Sequence, residues 1–463
     1  MKKIQLKNLP DGRVHFVGIG GISMSGLAEI LLQKGYKVTG SDLKDSHLIS
    51  RLRKKGAVIH IGHDPAHVHG ADLVVYTAAV KEDNPELAEA IKNNIPIMDR
   101  ASLIGEIMQT YNYSIGVAGT HGKTTTTSML SLILYHANLD PTVLIGGEVD
   151  EIGGNVRVGN SHYFVTEACE YHNSFLHFNP YMAVILNIDE DHLDYFKDID
   201  DIYHSFWKYA NLISKNGYII GCADEPLVSQ LLEEVHARKI SFGIDNPANW
   251  RARQIKFNNK GCARYRAVYN NQDMGEFSLN VPGKHNVYNA LAASAAAWAL
   301  GVSCDTIREA LEAYRGTHRR FEIKGKVGDI TIIDDYAHHP TEIKATLEAA
   351  KKYPHQRIWC IFQPHTYTRT RKLLYEFAES FIDADEVIIT DIYAAREKDT
   401  GLVHSKDLAK AVLDGGRSCR YLSSFDDAVE YIKKNARAGD IVLTMGAGNI
   451  YEVGEKLLKE DIQ

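Results

Sequence analysis

The stretch "GVAGTHGKTTTTSML", residues 116–130, constrains this chain more than any other. A run of apolar residues gives way to two glycines, a lysine and a threonine, and then to a helical pattern. That is the grammar of a loop whose backbone N–H groups and lysine hold phosphates at a helix N-terminus. The usual spacing wants a glycine six residues before the lysine, and Val117 stands there, while Gly119, Gly122, Lys123 and Thr124 are in place. The loop is therefore phosphate-binding in kind but shifted. Lys123 suits the β and γ phosphates, Thr124 offers a hydroxyl to Mg²⁺, and the opening of the threonine helix supplies N–H groups.

A chain of 463 residues carries about three domains at roughly 150 residues each. From Val14 onward, apolar runs alternate with helical patterns, as in "VHFVGIG", "MSGLAEILLQKG" and "YKVTGSDL", which reads as a parallel α/β domain. A second α/β unit opens at "YSIGVAGT", and its buried-strand runs "HYFVTE" and "YMAVILNIDED" end in acidic residues. Its alanine-rich helix is closed by Gly301, and a further helix is expected to run to Gly316. A third α/β domain follows from "ITIIDDYAHHPTEI". The expected division is 1–108, 109–317 and 318–463: a Rossmann-like first domain, a central phosphate-loop ATPase-like domain and a C-terminal Rossmann-like domain.

Composition narrows the partners. A net charge of -7 with 24% charged residues provides no polycationic tract for nucleic acid or lipid. The six cysteines lie at least 40 residues apart with no CxxC pair, so free thiols are expected in place of a zinc site or disulfide framework. No apolar run approaches the roughly 18 residues of a membrane span. A cytoplasmic protein acting on small molecules is the expectation, as a monomer or a homodimer.

The first glycine cluster, "GIGGISMSG", places Gly18 and Gly20 as in a dinucleotide fingerprint, with Ser23 in the third glycine's position and Asp42 following Gly18 by 24 residues. Such a turn suits any diphosphate, and a plain strand-to-helix turn is the bland alternative. Glu167 ends one strand of the second unit and "NIDEDHLD" follows another, so oxygen ligands for Mg²⁺ can gather at one sheet edge. His192, a nitrogen donor, is by itself more suited to a hydrogen-bonded structural role. In the third domain "DDYAHHPTE" and "FQPHTYTRTR" collect Tyr336, His338, His339, Glu342, His365 and Arg369 after apolar runs, which reads as a site at strand ends or as an ordinary helix start at Pro340.

The ordered set "GIGGISMSG", "GTHGKTT", "EACE", "NIDEDHLDYF", "GKHNVYNALAA", "HRRFE", "DDYAHHPTE", "FQPHTYTRT" and "GAGN" resembles the Mur ligases over nearly the whole chain. The resemblance implies an ATP-dependent ligase of cell-wall precursor synthesis, with L-alanine joined through an acyl phosphate to the lactyl carboxylate of UDP-N-acetylmuramate. It implies a UDP-sugar site at Gly18, Gly20, Gly21, Ser23, Ser41, Asp42 and Thr77. The ATP site comprises Gly119, Thr120, His121, Gly122, Lys123, Thr124, Thr125, His285, Asn286 and Arg320. Two Mg²⁺ ions are implied, with Thr124, Glu167 and His192 as ligands, so the resemblance reverses the bland reading of His192. An amino-acid site falls at Tyr336, His365 and Arg369, and Lys123, His338 and Arg369 take the catalytic roles. Some relatives carry "FQPHRYTRT", and Thr366 replaces that arginine here. A tripeptide-attaching ligase of the same fold is the nearest alternative; an NAD-dependent oxidoreductase and an NTP-dependent binding protein are more distant ones.

Overall fold

The computed structural model describes residues 6–9, 12–77, 79–81, 83–395 and 397–459. Three sheets succeed one another along the chain. The first is fully parallel, ordered Val58–Ile61, Lys37–Asp42, Arg13–Val17, Leu73–Tyr76, Ile97–Asp99. Its order reverses between Arg13–Val17 and Leu73–Tyr76, and a cleft at such a reversal opens beyond the strands' carboxyl ends. Gly18 and Thr77 sit there, immediately after those two strands.

The central sheet has ten strands. Tyr113–Ala118 lies in its middle, parallel to Tyr163–Glu167 on one side and Met182–Ile185 on the other. All three are runs of buried, largely β-branched or apolar residues, as a strand covered on both faces requires. Their carboxyl ends deliver the loop 119–122, Glu167 and the acidic run 187–194 to one edge. Antiparallel strands Trp250–Phe257, Cys262–Tyr269 and Gln272–Pro282 extend the far side.

The third sheet has six strands, of which Glu322–Val327 alone runs antiparallel. Apolar clusters cover both of its faces, one built around Ile333, Phe362 and Leu443 and the other around Ile332, Trp359 and Val442. The first two sheets differ from this in sharing one continuous apolar cluster, which runs from Phe16 and Leu27 through Leu144 and Val156 to Ala293.

One helix departs from the sequence expectation, and one helical pattern is divided. The helix expected to reach Gly316 stops at Ala313, because Tyr314 turns extended and buries its ring with its hydroxyl 2.8 Å from Thr317 Oγ1. The pattern "TRKLLYEFAESFI" forms two helices, Tyr367–Lys372 and Leu374–Ser380, which break at Leu373. The six cysteines carry free thiols. No helix among the described residues is long and apolar enough to cross a membrane.

The first two domains meet closely at Gly105, where an added Cβ would lie 2.1 Å from the backbone oxygen of His177. Gly105→Ala gains roughly 1 kcal/mol of helix propensity against an overpacking cost of typically 1 to 3 kcal/mol. Urea unfolding is expected to show a lowered midpoint for this variant; a raised midpoint would contradict the packing.

Candidate functional site

The shifted glycine is explained by where the strand ends. Val117 is a fully buried strand residue, so the loop consists only of residues 119–122 between Ala118 and the helix Lys123–His136. Gly119 has φ +144°, and a Cβ there would come within 2.9 Å of Leu186 Cβ; Gly122 caps the helix at φ +83°. Neither position accepts a side chain cheaply. The loop is pinned from the neighbouring strand's exit: His121 N–H donates to Asn187 Oδ1 at 2.8 Å, the Asn187 amide returns to His121 O at 3.1 Å, and Asp189 N–H donates to Thr120 Oγ1 at 2.9 Å.

Lys123 points into this loop. Its ammonium donates to Gly119 O and, at 3.1 Å, to Thr120 O, and it pairs with both Glu170 oxygens at 3.1 and 3.2 Å. Burial alone would favour the neutral amine, but the Glu170 carboxylate, itself buried, overrides it and holds the lysine firmly charged. Glu167 accepts from Gly146 N–H at 2.7 Å. Gly146 and Gly147 place Glu167 and Thr124 side by side: a Cβ on the first would meet Glu167 Oε1 at 2.7 Å, and one on the second Thr124 Cγ2 at 3.3 Å. His192, at φ +52°, stacks on Tyr171 and turns Nε2 toward Glu170 at 3.9 Å.

A cavity of about 640 Å³ opens beside the loop between the central and C-terminal domains, and His121, Gly122, Thr125, His285, Asn286 and Arg320 all line it. Burial pushes His285 down to about 4, so it is neutral. Asn286 donates its amide to Pro282 O and accepts from Asn289, whose own oxygen receives the Thr126 hydroxyl. Its side chain is thus spent on shaping the wall. Arg320 reaches Thr124 Oγ1 at 3.4 Å and stacks on Tyr336.

In the first domain Gly20 N–H donates to Asp42 Oδ2 at 2.8 Å, Gly18 N–H donates to Ser41 O, and Gly21 precedes the helix Ile22–Gln33. Ser23, in the third glycine's place, receives Arg100 at 3.1 Å. Ser41 is a correction. Its side chain is fully buried and donates to Glu86, so it serves the turn through its carbonyl and presents no hydroxyl to a sugar.

Arg369, expected at the amino-acid site, is already paired. Its Nε and Nη2 donate to Asp191 Oδ1 at 3.0 and 2.8 Å, and Nη1 lies 3.1 Å from His365. A second cavity, of about 70 Å³, lies at this junction and is lined by Asp191, His192, His365, Thr366, Arg369 and Lys372 among others. Tyr336 is not at this cavity; it lies beneath the Arg319 and Arg320 guanidiniums. His338 is half-buried and neutral, its desolvation pushing it down to about 3, with Nδ1 on Tyr336 O. The acidic partners Glu170, Asp189 and Asp191 were visible in the sequence only as members of acidic runs; what each one pairs with depends on the fold.

The chain is similar to known proteins along its length. Residues 13–112 match the model described as Mur ligase family, catalytic domain, residues 117–297 the Mur ligase middle domain, and residues 319–448 the Mur ligase, glutamate ligase domain. The chain belongs to the Mur ligase family. The UDP-N-acetylmuramate–L-alanine ligase of Caldanaerobacter subterraneus is 57% identical over 97% of this chain and 98% of its own, and that of Acetivibrio thermocellus 56% over 96% of each. Among solved Mur ligases, the MurC structure from Thermotoga maritima superposes with a TM-score of 0.83 at 30% identity, covering 97% of this chain and 98% of that one. A murein peptide ligase from Psychrobacter arcticus gives 0.76 at 30%, with the same coverage.

His121 of this Mur ligase makes a checkable prediction. Its ring nitrogens face Asp189 Oδ2 at 3.1 Å and Glu342 Oε1 at 3.3 Å. Burial opposes the charge, but the two carboxylates raise the group from 6.5 to about 9. The His339 ring at 4.8 Å and Glu225 also face it. His121 binds its proton more tightly folded than unfolded, so its contribution to stability is complete below 6.5 and is lost as pH rises through about 9. Chemical denaturation at pH 6 and pH 9.5 should show a larger loss for the parent than for His121→Asn; equal losses would remove the charged pairing.

Proposed function

We propose that the protein is an ATP-dependent amide-bond ligase that joins L-alanine to the lactyl carboxylate of UDP-N-acetylmuramate. What carries the reading is that alanine ligases above 50% identity match along all three domains, so the sugar and amino-acid domains are matched together with the ATP domain. The attachment of a tripeptide, the nearest alternative, has its support in a relative at 30% identity.

The phosphate loop supports the chemistry directly. Phosphoryl transfer requires positioning and charge neutralisation more than covalent participation by the protein. The Lys123 ammonium, now neutralised by Glu170, provides a cation for the β and γ phosphates, and the free N–H groups of the first turn of Lys123–His136 add to it. The diphosphate of the sugar nucleotide is assigned to the turn Gly18–Gly21, against Thr77 and the start of Ile22–Gln33, with Asp42 fixing Gly20. Ser23 takes part through its contact with Arg100.

Mg²⁺ fits the oxygen donors at the loop: the Thr124 side chain and the Glu167 carboxylate lie against the same glycine pair, with the Arg320 guanidinium 3.4 Å from the Thr124 hydroxyl. These two would hold it, with His192 and Glu170 beyond. Such an ion supplies charge neutralisation on the phosphates.

In the reaction, a lactyl carboxylate oxygen attacks the γ-phosphorus and ADP leaves. The alanine amine then attacks the acyl carbon, and phosphate departs with the former carboxylate oxygen. Arg369 is assigned to the alanine carboxylate, which replaces Asp191 on its fork of N–H donors. His338, neutral and fixed through Nδ1, presents Nε2 as an acceptor that orients the amine.

Phosphate release measured across a matrix of UDP-sugars and amino acids tests this reading. Release is expected only with UDP-N-acetylmuramate and alanine together; release with a tripeptide in place of alanine would favour the other branch. Lys123→Ala is expected to abolish release while leaving UDP-sugar affinity within twofold, because the sugar nucleotide is assigned to a different domain. Undiminished turnover in that variant would overturn the ATP site.

A further inference from the structure

We propose that His121 and Glu342 are positioning residues that couple the C-terminal domain to the phosphate loop, so that amino-acid use depends on this ion pair. The inference rests on the ATP reading of the loop given above. His121 lies inside the loop, its backbone fixed on both sides by the Asn187 amide. Its side chain leaves the loop and meets Glu342 in the first turn of the C-terminal helix Pro340–Lys352, 221 residues away in sequence. Glu342 is shared. Its other oxygen accepts the backbone N–H of His338 at 3.1 Å, so a single carboxylate links the phosphate loop to the "DDYAHHPTE" loop that carries His338.

A second connection runs in parallel. Asp189 receives the other His121 nitrogen and also the Thr341 hydroxyl at 2.9 Å. His339 caps the same C-terminal helix by accepting Thr341 N–H at Nδ1, and its Nε2 donates to Glu190 O at 2.9 Å. His121, Asp189 and His339 are close enough together to suggest a metal site. However, both nitrogens of His339 are already committed, and His121 meets a carboxylate at each nitrogen, which requires two N–H groups. The cluster is complete as a network of ion pairs and hydrogen bonds.

The consequence is a division of labour at one helix start. Contacts that fix this helix against residues 121 and 189–190 also fix where His338 and, through it, His365 stand relative to the loop; the two rings are 5.6 Å apart. Displacement of reacting groups by even about 1 Å costs rate heavily, so loosening the pair lowers amino-acid use even though neither residue is assigned to the amino acid.

A double-mutant cycle with His121→Asn and Glu342→Gln tests the coupling, using kcat/KM for L-alanine at saturating ATP and UDP-sugar, UDP-sugar affinity without ATP, and thermal midpoints. Each single variant is expected to lose at least tenfold in kcat/KM, with the double variant within twofold of the worse single and UDP-sugar affinity unchanged. Losses that multiply, or a lowered midpoint with kinetics within twofold of the parent, would overturn the proposal. If Glu342→Gln does not fold, Thr341→Val, which removes the hydroxyl donor to Asp189, takes its place in the cycle and is judged by the same outcomes. A parent that forms no amide at all would instead refute the ligase reading, so the two failures are distinct.

Discussion

A largely buried ammonium, held against a four-residue loop from the first residue of the next helix, is the constraint on which the site depends. Lys123 is withdrawn from water at the edge of the central sheet, and leaving it unpaired would be expensive. Glu170 supplies the countercharge, and the loop carbonyls of Gly119 and Thr120 accept its remaining protons. The same geometry that makes the lysine costly to bury makes it effective toward a polyphosphate, which brings more negative charge than the carboxylate it displaces. Tight glycines at 119 and 122, and the Asn187 amide on His121, keep the loop in shape while that exchange occurs.

The two domain junctions around this loop differ in kind. A single apolar cluster runs through the first and central domains, and an interface of that type resists sliding because interiors are close-packed. The C-terminal domain has its own apolar clusters and reaches the central domain at the site through polar contacts: His121 with Glu342, Arg369 with Asp191, His339 with Glu190 O, and Lys372 with Leu193 O. Ion pairs and single hydrogen bonds exchange with substrate groups more readily than apolar packing does. The junction with the C-terminal domain is therefore the more exchangeable of the two.

Much of this was legible in the sequence because local patterns carried it. The alternation of apolar runs and helices predicted three α/β units, and the matches of the family models, 13–112, 117–297 and 319–448, follow the same order. Gly119, Gly122 and Lys123 pointed to a phosphate loop even with Val117 out of place, since Val117 belongs to the strand and the helix still begins at Lys123. The sequence could not show pairings between residues far apart in the chain. Nothing local to Arg369 indicates its pairing with Asp191, 178 residues earlier and in another domain. Ser41 looked like a sugar contact because nothing local reveals that Glu86 takes its hydroxyl. The helix beyond Thr306 seemed to run to Gly316 because the burial of Tyr314 is a tertiary effect.

If a phosphoryl group passes from ATP at the Lys123 loop to the sugar's carboxylate before the amide forms, the oxygen atoms record it. UDP-N-acetylmuramate labelled with ¹⁸O in both lactyl carboxylate oxygens is turned over with ATP and L-alanine, and the released phosphate is analysed by mass. One ¹⁸O is expected in each phosphate, carried there from the carboxylate. Unlabelled phosphate, with the missing label recovered in water, would contradict that transfer.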